Sequence, residues 1–218
     1  MQQDKSEKDS ADRQCVLLFT RFPEPGQVKT RMIPALGPQG ACDLHTRLTH
    51  KVLANIDPAL ARHNIKLHIM YDGGSQQKMK DWLGDDRLIT PQQGSDLGRK
   101  MIQAFTLEAS LGSTHVLLIG SDCPDISAEI ILEGFDKLNN HELVLGPAVD
   151  GGYYLIGLQM RVNRYQNLFC NIDWGDKSVF QQTLNLAKHN GYSCSLLPTL
   201  HDIDRPEDLV HFNHHTCS

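Results

Sequence analysis

Cys15-Val-Leu-Leu-Phe-Thr-Arg-Phe-Pro-Glu-Pro-Gly-Gln-Val-Lys-Thr-Arg31 is an apolar run that ends in a loop stiffened by proline and glycine. The run, Val16–Thr20, reads as a buried strand. The loop carries three cations, Arg21, Lys29 and Arg31, at the mouth of that strand and just ahead of a plausible helix. Such a loop is a natural place to hold phosphates: the cations supply charge, and loop and helix N–H groups supply donors. Two common phosphate loops are excluded at named positions. A Walker A loop ending in Lys29-Thr30 needs glycine where Pro23 and Val28 stand, and no G-x-G-x-x-G fingerprint is present.

Outward from this loop, strand and helix patterns alternate. Helical spacing of Leu44, Leu48, Val52 and Leu53 predicts a helix over Gln39–Ile56. Strands are predicted at Lys66–Tyr71, Arg87–Ile89, Val116–Ile119, Glu142–Leu145, Tyr153–Leu158 and Tyr192–Leu197. Further helices are predicted at Gln76–Leu83, from Leu97 to near Gly112, and at Ala128–Asn139, Ser178–His189 and Pro206–Phe212. Alternation of this kind implies an α/β protein, a mostly parallel sheet with helices on both faces, and a ligand crevice beyond the carboxyl ends of the strands. One domain over residues 14–214 is expected, preceded by a frayed polar tail at 1–13 with no apolar stretch for a signal peptide.

A net charge of −5 argues against broad nucleic-acid binding, so a basic loop in an acidic protein points to a small anionic ligand. No apolar run reaches the roughly 20 residues of a membrane span. Six cysteines without a C-x-x-C pair predict a reducing cytoplasm and no disulfide framework. The sequence does not fix an oligomeric state.

Four further segments carry polar chemistry. In Ile119-Gly-Ser-Asp-Cys-Pro-Asp125, Asp122 leaves the end of a buried strand and suits a magnesium ligand, since Mg²⁺ takes one or two carboxylates and completes its shell with water and phosphate. Asp125 or Ser127 then caps the next helix. In Asp150-Gly-Gly152, the glycines make either a plain hairpin turn or a close backbone approach to a ligand, with Asp150 a candidate for a ligand hydroxyl or a general base. Asp96 and Gly98, in Gly94–Met101, either open a helix or let a base or sugar lie against the backbone. Asp204, ahead of Pro206, starts a helix and is a candidate second carboxylate for the same metal. His211, His214 and His215 have no partner motif for zinc, and no G-x-S-x-G serine elbow exists.

Together these segments resemble a family of small bacterial glycosyltransferase-like proteins with the GT-A, nucleotide-diphospho-sugar-transferase-like fold. Its relatives include 2-phospho-L-lactate guanylyltransferase and the molybdenum-cofactor nucleotidyltransferases. The resemblance spans about residues 15–212 and is carried by Arg21–Arg31, Gly94–Met101, Ile119–Ile126, Leu145–Leu158, Trp174–Thr183 and Asp202–Leu209. It implies a three-layer α/β/α, Rossmann-like architecture, phosphate contacts from Arg21, Lys29 and Arg31, metal binding by Asp122 and Asp204, and an acceptor side lined by Asp150, Gly151 and Gly152. The D-x-D of many GT-A enzymes is reduced here to Ser121-Asp122-Cys123.

The expectation is a cytoplasmic transferase that uses Mg²⁺ or Mn²⁺, a nucleotide or nucleotide-sugar donor and a small-molecule acceptor. Lys29 serves the transferred or leaving phosphate and Asp150 the acceptor hydroxyl. Glycosyl transfer is the first reading. The alternatives are nucleotidyl transfer from a nucleoside triphosphate to a phosphorylated small molecule, or a nucleotide-binding protein that has lost catalysis. A phosphohydrolase lacks its nucleophile motif.

Overall fold

The structure is a computed structural model, and it describes residues 13–213. The expected tail over 1–13 thus falls, apart from Arg13, outside the described residues, as do His214, His215 and Cys217. Seven strands form one sheet in the order β3-β2-β1-β4-β6-β5-β7. They are β1 (Gln14–Arg21), β2 (Lys66–Asp72), β3 (Leu88–Pro91), β4 (His115–Gly120), β5 (Leu143–Pro147), β6 (Tyr153–Gln159) and β7 (Cys194–Leu196). The main helices are α1 (Ile33–Arg62), α2 (Gln76–Leu83), α3 (Leu97–Ser110), α4 (Ala128–Leu138), α5 (Val179–His189) and α6 (Leu209–Asn213). The architecture is the α/β, mostly parallel sheet expected from the alternation, with β6 as the antiparallel exception.

Residues Cys15–Thr20 of β1 are all buried because helices cover both faces of the sheet. Alternate side chains of β1 therefore enter different cores. Val16 and Leu18 pack with Val52, Ile56 and Leu60 of α1, Met79 and Leu83 of α2, and Ile131 and Phe135 of α4. Cys15, Leu17 and Phe19 pack with Met101, Ala104 and Phe105 of α3 and Ala187 of α5. A third, smaller cluster joins Met32, Ala41, Leu44 and Leu48 to Ile203 and Phe212.

Three sequence expectations are refined. The first helix starts earlier than Gln39 but is interrupted at Gly37 (φ 69°, ψ 168°), after which Pro38 starts the remainder. This break separates a short turn carrying Met32 from the long helix against the sheet. The β5–β6 segment is a true hairpin: the Ala148 N–H donates to the Gly152 carbonyl at 3.0 Å, and the Gly151 N–H to the Ala148 carbonyl at 3.1 Å. Ser127, rather than Asp125, caps α4 by accepting from the Ile130 N–H. The described cysteines, Cys15, Cys42, Cys123, Cys170 and Cys194, are free thiols. Among the described residues no helix is long and apolar enough to cross a membrane.

Candidate active site

β1 pairs with β2 on one side and β4 on the other, so the chain winds in opposite directions from β1. The carboxyl ends of β1 and β4 then face a crevice that no crossover fills, which is where ligands bind in such sheets. A cavity of about 610 Å³ opens there. It is lined by Arg21, Lys29 and Arg31 near the first loop, by Gly120 at the end of β4 with Ser121 and Asp122 after it, and by Asp204. The distant segments singled out in the sequence thus meet at one place.

Lys29 is the centre of the arrangement. Its backbone is left-handed (φ 48°, ψ 43°), a conformation that costs an L-residue about 1–2 kcal/mol. Its side chain is only 3% exposed. The ammonium donates to the Ile203 carbonyl at 2.6 Å and lies 2.9 Å from Asp122 Oδ1 and 3.8 Å from Asp204 Oδ1. Arg31 donates to the other oxygen of Asp204, and this pair keeps the Arg31 guanidinium charge favoured. Ile203 makes the convergence possible. Its side chain is fully buried in the third cluster, and its N–H donates to the Asp122 carbonyl at 2.9 Å. One apolar anchor therefore fixes Asp202 and Asp204 beside the end of β4. Asp208 adds to this by accepting from the N–H groups of Asp204 (3.0 Å) and Arg205 (2.7 Å) at the start of the last helical stretch.

Two carboxylates and a carbonyl around one point are a hard oxygen donor set, the kind that Mg²⁺ and Mn²⁺ prefer. The residues fit such an ion, with Lys29 as the cation now held at that point. No group of three or more His, Cys, Asp or Glu side chains forms a self-sufficient metal cage among the described residues.

Residues not singled out in the sequence complete the cavity. Asp72, at the end of β2, accepts from Arg21 at 3.1 Å and from Lys100 of α3 at 2.9 Å. The Lys100 bond, then that of Arg21, outweigh burial and hold the Asp72 carboxyl below its ordinary range. Lys100 thereby adds a fourth cation. His45 is buried beneath the loop, with Nε2 at 3.0 Å from the Arg21 carbonyl and Nδ1 at 4.0 Å from Asp122. Burial, only partly offset by that carbonyl and by Asp122, lowers its basicity. The available signal for His45 was a polar residue inside the apolar stripe of α1; for Lys100 it was the basic pair after Gly98.

A second cavity of about 570 Å³ adjoins the first and shares Arg31, Leu97 and Asp204 with it. Asp150, Gly152, Tyr153, Trp174 and Asp202 lie on its walls. Of the two readings open for each of these glycines, the structure shows the local one: Gly98 lies in the first turn of α3 and Gly151 and Gly152 in the hairpin. A Cβ on Gly98 meets the Trp174 indole at 2.9 Å, and one on Gly151 (φ +95°) meets the Lys177 carbonyl oxygen at 1.8 Å. Gly98 seats Trp174 on the first turn of α3, and Gly151 locks the hairpin against the segment before α5. Gly152 lines the cavity, and its N–H donates to Asp150 Oδ1 at 2.8 Å. Asp96 borders the first cavity, with Oδ1 capping α3 through the Arg99 N–H at 2.8 Å.

Comparison with known proteins agrees with this fold. A crystal structure from Desulfovibrio desulfuricans G20, assigned as a nucleotide-diphospho-sugar transferase, is 34% identical, with 94% of this chain and 89% of that chain covered at a TM-score of 0.85. The 4-diphosphocytidyl-2C-methyl-D-erythritol synthase of Anaerococcus prevotii DSM 20548 matches at 11% identity and a TM-score of 0.59, covering 94% and 99%. A protein of Mycobacterium tuberculosis H37Rv, solved as a manganese complex, matches at 13% identity and 0.53, covering 94% and 100%. The last two likenesses are of fold alone. No curated protein matches the chain in sequence. Residues 55–176 match the family described as an uncharacterized protein conserved in bacteria, DUF2064, and the chain belongs to that family.

Proposed function

We propose that the protein is a divalent-metal-assisted transferase that acts on a nucleotide-activated donor, with glycosyl transfer from a nucleotide sugar as the reaction. The observation that carries this reading is the meeting of Lys29, Asp122 and Asp204 at the floor of the β1/β4 crevice. The diphosphate of the donor lies along the first loop, where Arg21, Lys29 and Arg31 offset its charge, with Lys100 beyond them. Asp122 and Asp204 would hold Mg²⁺ or Mn²⁺, which would supply charge stabilisation at the diphosphate. The side chains supply the remainder through fixed position and electrostatics in a site that needs little reorganisation. Asp96 and the first turn of α3 border the donor, and Asp150 contacts an acceptor hydroxyl. Residues 14–214 act as one cytoplasmic domain.

Nucleotidyl transfer is the second reading, favoured by the fold shared with the Anaerococcus cytidylyl enzyme. The discriminating experiment is a thermal-shift screen of nucleoside triphosphates and nucleotide sugars with and without Mn²⁺, followed by analysis of products. Metal-dependent stabilisation by a nucleotide sugar and release of a nucleoside diphosphate support glycosyl transfer. Release of pyrophosphate from a triphosphate replaces it with nucleotidyl transfer, and no stabilisation by either class refutes both.

A further inference from the structure

His45 stands in the buried stripe of α1, between Leu44 and Leu48, with its side chain only 5% exposed. The imidazole reaches under the first loop to the end of β1. Nε2 lies 3.0 Å from the Arg21 carbonyl oxygen and 3.5 Å from Thr20 Oγ1. A carbonyl can only accept, so Nε2 carries a hydrogen. Nδ1 makes no hydrogen bond among the described residues, and Asp122 Oδ1 lies 4.0 Å from it, beyond hydrogen-bond reach. The fully enclosed side-chain atoms without a partner among the described residues are Trp82 Nε1, Thr183 Oγ1 and the Tyr192 hydroxyl. Nδ1 is not one of them and opens on the first cavity, which His45 lines.

Holding the Arg21 carbonyl needs one donor. The second nitrogen of a buried ring, unpartnered and aimed at a carboxylate in a cavity, calls for a further reason. The arrangement is that of an imidazole that binds a metal ion. Such a ring donates its other N–H to a carboxylate, a backbone carbonyl or water, and this bond fixes its orientation. The Nε2 bond to Arg21 is of that kind. A gap of 4.0 Å between Nδ1 and Asp122 Oδ1 accommodates an ion with bonds of about 2.1 Å to nitrogen and to oxygen. The Lys29 ammonium, 2.9 Å from the same oxygen, shows that the place draws positive charge. An ion there displaces any proton on Nδ1, so the arrangement serves in either charge state of the ring.

We propose that His45 Nδ1 is a nitrogen ligand of the divalent ion that Asp122 and Asp204 would hold, and that it makes the site selective for Mn²⁺ over Mg²⁺. The assignment deepens the metal-assisted reading and rests on it. Carboxylates, carbonyls and water suit Mg²⁺ and Mn²⁺ alike, whereas imidazole favours ions of the first transition row. One nitrogen added to two carboxylates therefore tips the choice toward Mn²⁺. Water and diphosphate oxygens supply the rest of the shell, because His45, Asp122 and Asp204 do not form a closed group of three. Through the Arg21 carbonyl the same ring ties the ion to the start of the first loop.

The test uses the full chain labelled with ¹⁵N-histidine, given Mn²⁺ alone and then Mn²⁺ with ADP, CDP, GDP or UDP. Loss of the free-ion electron paramagnetic resonance signal gives the Kd, and competition gives that of Mg²⁺. Pulsed resonance reads whether a histidine ¹⁵N is coupled to the bound ion. H45Q keeps a donor for the Arg21 carbonyl and lacks Nδ1, and D122N/D204N lacks the oxygen ligands. Melting in EDTA shows whether each variant is folded.

Wild type is expected to show the ¹⁵N coupling. H45Q should lose it and bind Mn²⁺ about tenfold more weakly, with its Mg²⁺ affinity little changed. Mn²⁺ bound in wild type without ¹⁵N coupling, yet lost in D122N/D204N, overturns the proposal and leaves the metal reading standing. Coupling that survives in H45Q also overturns it, and equal losses of Mn²⁺ and Mg²⁺ affinity there overturn the selectivity. Should H45Q fail to fold, the labelled wild type decides by itself. If wild type binds no Mn²⁺ under any of these conditions, the metal reading fails, and this one with it.

Discussion

Replacing Lys29 by methionine removes the ammonium while retaining a side chain of similar length. At an effective dielectric of about 20, the attraction to Asp122 at 2.9 Å is about 6 kcal/mol and that to Asp204 at 3.8 Å about 4 kcal/mol. Most of this is cancelled by the cost of holding an ammonium away from water, several kcal/mol for a side chain only 3% exposed. Asp122, at 47% exposed, recovers solvation once the cation is gone. The Ile203 carbonyl loses its charged donor, and two like charges remain close together. The net loss expected for K29M is about 3 kcal/mol of folding stability, within the range for breaking such a pair.

A divalent ion can then replace what was removed. Mn²⁺ at about 100 times its Kd restores about 2.7 kcal/mol by mass action. Mn²⁺ without nucleotide should therefore stabilise K29M more than it stabilises wild type, where the ammonium competes for the same oxygens. The assay is urea unfolding of both proteins in EDTA and in Mn²⁺, with D122N/D204N as the variant that lacks the oxygen donors. If K29M is as stable as wild type, Lys29 is not the counter-charge of this pair. Equal Mn²⁺ shifts in all three proteins refute a shared site for ammonium and metal.

Other expectations follow from single contacts. Gly151→Ala places a Cβ 1.8 Å from the Lys177 carbonyl on a left-handed backbone, so it should cost about 2–4 kcal/mol in urea and impair turnover; a stability within 0.5 kcal/mol of wild type contradicts the packing described. Trp174→Ala should raise the acceptor KM roughly tenfold and spare donor binding, measured by initial rates against both substrates. Glu108 is fully buried and would be raised by desolvation, but bonds from His68, Ser113 and Lys66 outweigh this and hold its carboxyl at about 2 rather than 4.5. Because the folded value lies below the unfolded one, about 3 kcal/mol of stability present at neutral pH is lost as pH falls from about 4.5 through about 2. Unfolding measured across that window in E108Q should show a flatter slope, and an unchanged slope removes Glu108 from the account.

The alternation of apolar strands with helical patterns was legible because each element declares its own period. The three cations of the first loop and Asp122 after β4 were legible because both follow buried strands, and strand ends in a parallel sheet face the crevice. The glycines were legible in part, the hairpin turn at Gly151-Gly152 being one of the two readings they allowed. Sequence shows that Gly98 and Gly151 need room but not what enters it, and Trp174 and Lys177 come from a segment far along the chain. Asp150 was a candidate base from its place beside two glycines, and the hairpin sets its exposure.

The sequence by itself determined which chemistry follows the strands into the crevice: cations after the first strand and a carboxylate after the fourth. These follow from local rules of strand, turn and cap. That Asp204 joins them was not determined by the sequence. The tertiary structure decided how the groups divide the work. Burial of Ile203 turns the stretch Asp202-Ile203-Asp204 into two carboxylates with different neighbours: Asp204 pairs with Lys29 and Arg31, and Asp202 faces the second cavity. Desolvation and Coulomb interaction depend on distance in space, and 174 residues of chain separate Lys29 from the Ile203 carbonyl that holds it.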